Sequence, residues 1–269
     1  MSLLLIKNGV TYDLEAEGIE TLRFFYESLN PQNETDNIEN EDGSEDLGTT
    51  YGPRILTAYC KFAAADYYDY SLKRSEVYRL LTSKEPYYLI HYSEPWKRWK
   101  VKLNKSFLPE KKKNHGIFTL EFIAHNPYAE SAGTTLDPFT FDSELWGMGQ
   151  GLTEEDAVYA HSTSGFTIFN AGDVAINPRR RPLKITFTGA STNLTITNNT
   201  TGETWSYTGT TTAGQTLTLD GVRSLKNGAS VFGDTNRKLI TLQPGPNDFT
   251  VTGATGTFTI TFDFRFYYV

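Results

Sequence analysis

The densest group of chemically active side chains is a run of carboxylates between Asn33 and Asp46 that contains no base. Carboxylate oxygens are ligands for Ca²⁺, but an EF-hand loop needs an acid at its first position and glycine at its sixth, and counting back from Gly43 places Ile38 first. We therefore predict no metal site and interpret residues 33–48 as a solvated, mobile acidic loop. The acids of this loop are Glu34, Asp36, Glu39, Glu41, Asp42, Glu45 and Asp46.

Charge outside this loop is balanced. The chain of 269 residues has a formal net charge of −7. Without the seven loop acids it would contain 25 basic and 25 acidic residues. General nucleic-acid binding needs an excess of basic residues on the protein surface, and this composition does not provide one. The N-terminus lacks a basic signal region, and no apolar run approaches the length of a membrane span, so we expect synthesis in the cytoplasm and no membrane partner.

Motifs for catalysis are missing. The four histidines have no partner at metal-ligand spacing, and the sequence contains no HExxH motif, Walker loop, dinucleotide fingerprint or GxSxG elbow. Cys60, the single cysteine, lies in the apolar stretch "ILTAYCKFAAA", which favours a buried small side chain over a nucleophile. We predict that the protein is not an enzyme and uses no cofactor. A hydrolase whose carboxylates meet only in the fold stays open as an alternative.

Trp205 and Tyr207 form an aromatic pair at strand spacing, on one face of the segment "ETWSYT". Such a pair can stack on sugar rings, or it can fill the interior of a sandwich. The first interpretation gives an alternative function, a carbohydrate-binding adhesion module in the C-terminal half.

The first half of the chain, residues 1–131, reads as a β-sandwich with one helix. An Asn8-Gly9 pair between apolar runs predicts a tight hairpin. In "KRWKVKL", apolar residues alternate with bases, which predicts a strand with one buried and one wet face. The segment 70–86 predicts the helix, with Ser71 as its cap and Pro86 as its end. Its expected buried face consists of Leu72, Val77, Leu80 and Leu81.

The second half, residues 165–269, is rich in Thr and Gly and contains eight candidate strands separated by turn residues. Among these strands are "PLKITFT", "TNLTITN", "RKLITL", "NDFTV" and "GTFTITFDFRFYY". This spacing predicts a β-sandwich of the jelly-roll or galectin-like kind. Residues 132–164, with mixed polarity, Gly and Pro, are expected to form a linker. In the last strand, alternation predicts one buried row: Phe258, Ile260, Phe262, Phe264 and Phe266.

The order of these segments resembles a known family. The run "YRLLTSKEPYYLIHYSEPWKRWKVKLNKSF" followed by "GIFTLEFIAHNPYAES" resembles the N-terminal domain of siphophage distal tail proteins from phages of Gram-positive hosts. "FTIFNAGDVAINPRRRPLKITFTG" and "LITLQPGPNDFTV" resemble the C-terminal sandwich of the same family. The acidic run before Arg54 departs from the usual pattern.

The resemblance implies a structural role in the virion, at the tail tip. It implies a homo-hexameric ring, built by the N-terminal domains, that joins the tail tube to the baseplate and lets DNA pass without binding it specifically. The implied partners are the tail tube protein, a tail-associated tip protein and a receptor-binding protein. In such a ring we expect the acidic loop to face the lumen, although charge patterning alone is equally compatible with the outer rim.

Overall fold

The computed structural model describes residues 2–37, 39, 42–138, 140, 144–146 and 157–269. The chain divides into two compact units, Met1–Ala129 with Val269, and Glu130–Tyr268. The described part of segment 132–164, which we expected to be a linker, is grouped with the second unit by its contacts. The prediction of a mainly β chain with one helix is confirmed for the described residues. None of the described helical segments has the length and apolar character of a membrane span.

The first unit contains ten strands and the helix α1 (Tyr67–Leu81). Its strands are β1 (Leu3–Lys7), β2 (Val10–Asp13), β3 (Ile19–Tyr26), β4 (Pro31–Asp36), β5 (Glu45–Tyr51), β6 (Arg54–Ala63), β7 (Tyr87–His91), β8 (Lys97–Leu103), β9 (Glu110–Lys112) and β10 (His115–Ala124).

Seven of these strands form a sheet in the order β2-β1-β7-β8-β10-β6-β3, and β9 pairs with β10. The tight turn between β1 and β2 is the expected one, because Asn8 and Gly9 have φ angles of 54° and 77°. Alternate side chains of β6 and β10 are buried, so one face of the sheet carries the core of this unit.

The helix differs in detail from the prediction. Its cap is Asp66 rather than Ser71, because the Asp66 carboxylate accepts hydrogen bonds from the backbone N–H groups of the second and third helical residues at 2.8 and 2.9 Å. Tyr70, Val77 and Leu81 are buried and Leu80 is half-buried, whereas Leu72, which we expected on the buried face, is 65% exposed. The helix ends at Leu81, well before Pro86.

The second unit contains the remaining strands. They are β11 (Ala129–Ser131, which begins at the last residue of the first unit), β12 (Ala160–His161), β13 (Gly165–Asn170), β14 (Leu183–Asn198), β15 (Glu203–Ser206), β16 (Thr210–Thr211), β17 (Thr216–Asp220), β18 (Arg223–Lys226), β19 (Ala229–Ser230), β20 (Gly245–Phe264) and β21 (Tyr267–Tyr268).

Two long strands form the framework of this unit. β14 and β20 each join two segments that the sequence suggested were separate strands, and they pair with each other along most of their length. Their other edges pair with short strands, in the order β12-β20-β14-β17-β18-β19, with β13 on β20 and with β15 and β16 on β14. The expected strand "RKLITL" does not form, and only Leu242 makes an isolated bridge, to Ile176.

Two facing β-bulges explain why each pair of candidate strands forms one continuous strand. The register of β14 against β20 shifts twice between Gly189 and Thr195, and Asn193 and Gly253 have φ angles of 52° and 86°. A Cβ on Gly253 would lie 2.6 Å from the Asn193 carbonyl oxygen, so glycine is required there. Past the bulges each strand bends, and Phe249 and Phe262 of the same strand pack together with ring centroids 4.8 Å apart. Turn and bulge residues are the same types, so the sequence alone did not separate them.

At the bulges, the buried positions of each strand change from odd-numbered to even-numbered residues. In β14 the buried positions are odd-numbered from Leu183 to Ser191 and even-numbered from Leu194 onward. In β20 they are odd-numbered up to Val251 and even-numbered from Ile260 onward. The predicted row of the last strand is therefore on the inside, with Phe258 half-buried.

Candidate functional site

The described part of the acidic run lies in a β-hairpin whose strands are exposed to solvent, whereas we had expected a solvated, mobile loop over residues 33–48. β4 and β5 pair only with each other, from Pro31↔Tyr51 to Asp36↔Glu45, and a 2.8 Å hydrogen bond joins the Thr49 hydroxyl to the Asn33 side chain. We call residues 31–51 the acidic arm. Thr49, Thr50 and Tyr51 at the end of its second strand favour extended backbone. Four acids lie on the strands, two described acids lie between them, and Glu41 lies outside the described residues. The strand acids are Glu34, Asp36, Glu45 and Asp46, and the other two are Glu39 and Asp42.

The arm has no core of its own. Every described residue of its two strands is exposed, including Leu47 at 61% and Tyr51 at 46%. Asp36 and Glu45 stand directly opposite each other, an arrangement of like charges that destabilises a strand pair. A two-stranded hairpin without a packed face is marginally stable in water. These features are typical of an element whose partner is another molecule.

Buried Arg54 fixes the base of the arm. The guanidinium lies 4.9 Å from the ring centroid of Tyr26 and 5.0 Å from that of Trp99, and it donates to the backbone carbonyl oxygens of Glu27 and Pro127. Only 4% of the Arg54 surface is exposed, and burial is the main cause that lowers its pKa. Glu27 lies between β3 and β4, so the hydrogen bond from Arg54 holds the segment that leads into the arm. The burial of Arg54 was not predicted from the sequence, because an arginine before an apolar strand is usually exposed.

Trp205 and Tyr207 do not form a sugar-binding surface. They are 1% and 5% exposed, and the Trp205 indole N–H donates to the Ser224 hydroxyl at 3.2 Å. The Tyr207 ring lies against Gly209, where a Cβ would be 2.3 Å from the phenol oxygen. Both rings therefore belong to the core of the second unit, and the glycan-stacking interpretation of this pair is wrong.

The described residues offer no arrangement of catalytic groups that we recognise. No group of three or more His, Cys, Asp or Glu side chains among them is placed to hold a metal ion. Burial raises the pKa of the Cys60 thiol to about 12, so Cys60 is not a nucleophile near neutral pH. A cavity of about 280 Å³ beside α1 contains Lys73 and Glu76, whose charges pair with each other at 3.0 Å.

Two half-buried histidines give the protein a predicted acid sensitivity. Burial lowers the pKa of His91, which stacks on Phe24, and of His161, which stacks on Phe166. The unfolded chain therefore takes up these protons at a higher pH than the folded chain. Their contribution to stability is complete above pH 6.5 and is lost as the pH falls below that value.

We expect the melting temperature of the wild-type protein to fall between pH 7.5 and pH 5.5, measured by calorimetry. His91→Gln should flatten this dependence for the transition of the first unit only, and His161→Gln for that of the second. A slope that survives in the double variant would contradict the assignment.

Two family descriptions match the chain. Residues 12–124 match the phage tail protein RIFT-related domain, and residues 171–266 match the C-terminal domain of the siphovirus-type tail component. None of the curated proteins compared with the chain matches it.

A solved structure of a phage tail protein is similar in fold to this chain. The crystal structure of the SPP1 Dit (gp 19.1) protein, described as a paradigm of the hub adsorption apparatus in Gram-positive infecting phages, matches with a TM-score of 0.72 at 14% identity over 98% of this chain and 99% of that chain. A chain of the phage p2 baseplate in its activated conformation with Sr matches with a TM-score of 0.47 at 7% identity, over 98% and 97% of the two chains.

Proposed function

The chain belongs to the siphophage distal tail protein family, and from this premise we propose that six copies form a ring that joins the tail tube to the baseplate and lets DNA pass. The family is a structural component of the phage tail and baseplate. The observation that carries the proposal is the acidic arm, an exposed hairpin with no partner among the described residues of its own chain. The tail tube protein, a tail-associated tip protein and a receptor-binding protein are the proposed neighbours.

The first unit is proposed to build the ring. Its sheet ends in two edge strands, β2 and β3, whose outer backbone N–H and C=O groups are available to a neighbouring copy. Native mass spectrometry of the full chain should give six times 30.3 kDa. A fragment of residues 1–131 should keep the six-fold mass, and a monomeric fragment beside a hexameric full chain would refute the role of this unit.

We propose that acids of the arm face the lumen of the ring. Each phosphate that a channel wall neutralises strengthens DNA binding by counterion release, so a wall for passing DNA is better acidic than basic. At a Debye length of about 8 Å in physiological salt, the carboxylates act only near the wall.

Replacing the seven acids of the arm with Gln and Asn should therefore slow DNA ejection from assembled phage, more strongly at low salt. Ejection can be followed by dye binding to released DNA. Neutralising Glu15 and Glu17, which are exposed outside the arm, is a control for the loss of surface charge elsewhere. Ejection kinetics that stay unchanged at both salt concentrations would assign the acids to solubility.

A further inference from the structure

A surface loop of the second unit displays an aromatic ring beside a guanidinium group. Phe232 begins a single 3₁₀ turn, Phe232–Asp234, just after β19, and 43% of its surface is exposed. The Arg237 guanidinium lies 5.9 Å from the centroid of the Phe232 ring, within the range of a cation–π contact. Both side chains are exposed, and we call them the Phe–Arg pair.

Arg237 has a backbone conformation that arginine rarely adopts. Its φ angle is 59°, in the left-handed region, where a side chain other than that of asparagine or aspartate crowds the backbone and costs free energy. Strained residues of this kind persist where the surrounding structure holds them, and they are concentrated at binding sites. The strain at Arg237 therefore suggests that the position of its side chain matters for function.

Hydrogen bonds hold this loop against β15. The Asn236 side chain donates to the Thr204 backbone carbonyl oxygen at 2.8 Å, and the Asn236 backbone N–H donates to that of Ser206 at 3.1 Å. The Thr235 hydroxyl donates to the Phe232 carbonyl oxygen at 2.9 Å, which closes the turn. The pair is therefore held in one arrangement before any ligand arrives, and such preorganisation lowers the entropic cost of binding.

Charges of both signs surround the pair. Lys238 and Asp234 are exposed in the same loop. Among the residues that the structure describes, neither of them forms an ion pair, and no carboxylate pairs with Arg237. The guanidinium is thus free to bind an anionic group, and the Asp234 carboxylate is free to accept hydrogen bonds.

These groups match the chemistry of an anionic sugar. The apolar face of a sugar ring packs on an aromatic ring, and a guanidinium binds a carboxylate or a phosphate through two parallel hydrogen bonds. The Asp234 carboxylate can accept hydrogen bonds from sugar hydroxyls, whereas it would repel the closely spaced phosphates of a nucleic acid. A nucleic acid would also need a wider basic surface than two side chains provide.

We propose that the Phe–Arg pair binds an anionic saccharide, a sugar chain whose units carry a carboxylate or a phosphate. The Phe232 ring packs on the sugar, Arg237 binds its acidic group, and Lys238 and Asp234 lie at the edge of the site. All of these residues belong to one chain, so the site does not depend on the proposed ring. It gives the second unit a role in attachment that the buried rings of Trp205 and Tyr207 do not provide.

Titration calorimetry of the full chain at low salt tests the proposal, with saturation-transfer NMR to detect binding that produces no heat. The probes are oligogalacturonate, which carries carboxylates, phosphomannan, which carries phosphates, and unphosphorylated mannan. We expect at least one anionic saccharide to bind about tenfold or more tightly than mannan, and this preference should weaken as the salt concentration rises.

Substitutions within the pair separate binding from folding. Phe232→Ala and Arg237→Gly should each weaken binding of the anionic saccharide by about tenfold or more. Glycine adopts the left-handed conformation without strain, so Arg237→Gly should not lower the melting temperature of the second unit. Arg237→Lys should also bind more weakly than the wild type, because an ammonium group lacks the paired donors of a guanidinium.

Control variants remove the same kinds of side chain from the surface of the first unit. Arg23→Ala and Tyr92→Ala, both at exposed positions, should bind the saccharide like the wild type. If these controls lose binding as the pair variants do, the site is not the Phe–Arg pair.

Several outcomes would overturn the proposal. These are the absence of binding to both anionic saccharides, equal binding of mannan, and binding of an oligothymidylate strand as tight as that of the saccharide. An Arg237→Gly protein that binds like the wild type, or that melts at a lower temperature, would show that the strained arginine does not serve a ligand.

Discussion

Removal of residues 256–269 is expected to unfold the second unit. The deletion takes away the half of β20 that pairs with residues 183–189 of β14, together with the predicted buried row. Four of its five side chains, Ile260, Phe262, Phe264 and Phe266, are at most 2% exposed. Burial of such side chains contributes roughly 1.5–3 kcal/mol each, which together matches the whole stability of a typical domain, about 5–15 kcal/mol.

Calorimetry should show one cooperative transition fewer in the truncated chain. A point variant separates packing from loss of backbone pairing: Phe262→Ala, whose ring packs on Phe166 and Phe249, should lower the free energy of unfolding by about 3–5 kcal/mol. Thr259→Ala, exposed on the same strand, should change it by less than about 1 kcal/mol. A truncated chain that keeps both transitions would show that this strand is dispensable.

Arg54→Ala is expected to lower the stability of the first unit by about 3 kcal/mol, because it leaves two buried carbonyl oxygens without their donor and opens a space between two rings. The carbonyls belong to Glu27 and Pro127, and the rings to Tyr26 and Trp99. Calorimetry, which follows the unfolding transition of the first unit, measures the effect.

Arg54→Lys should recover little of this loss, since an ammonium group cannot reach both carbonyls and stack on two rings at once. Arg23→Ala, an exposed arginine on β3, is the matched control and should be nearly neutral. Because Arg54 holds the segment before the arm, its loss should also weaken assembly. An Arg54→Ala protein as stable as the wild type would refute this structural role.

The sequence predicted those parts of the fold that depend on a few neighbouring residues. The Asn8-Gly9 turn, the strand in "KRWKVKL" and the buried row of the last strand each rest on local geometry and period-two burial. The helix was found, but its start was placed one turn late, because Ser71 and Asp66 are equally good caps and only packing chooses between them.

The rest depended on pairing between distant residues. A hairpin of acids such as Asp36 opposite Glu45 contradicts pairing preferences, and charge counting favoured a disordered loop. Burial of Trp205 and of Arg54 is decided by neighbours far along the chain.

The facing bulges of β14 and β20 limit how this domain can change in length. Because the buried positions of β20 change from odd to even between Val251 and Ile260, a one-residue insertion or deletion there would turn one buried row to solvent. A change of two residues would restore the alternation. Related chains should therefore vary in this bend by even numbers of residues, and otherwise keep their length differences in the connections between strands.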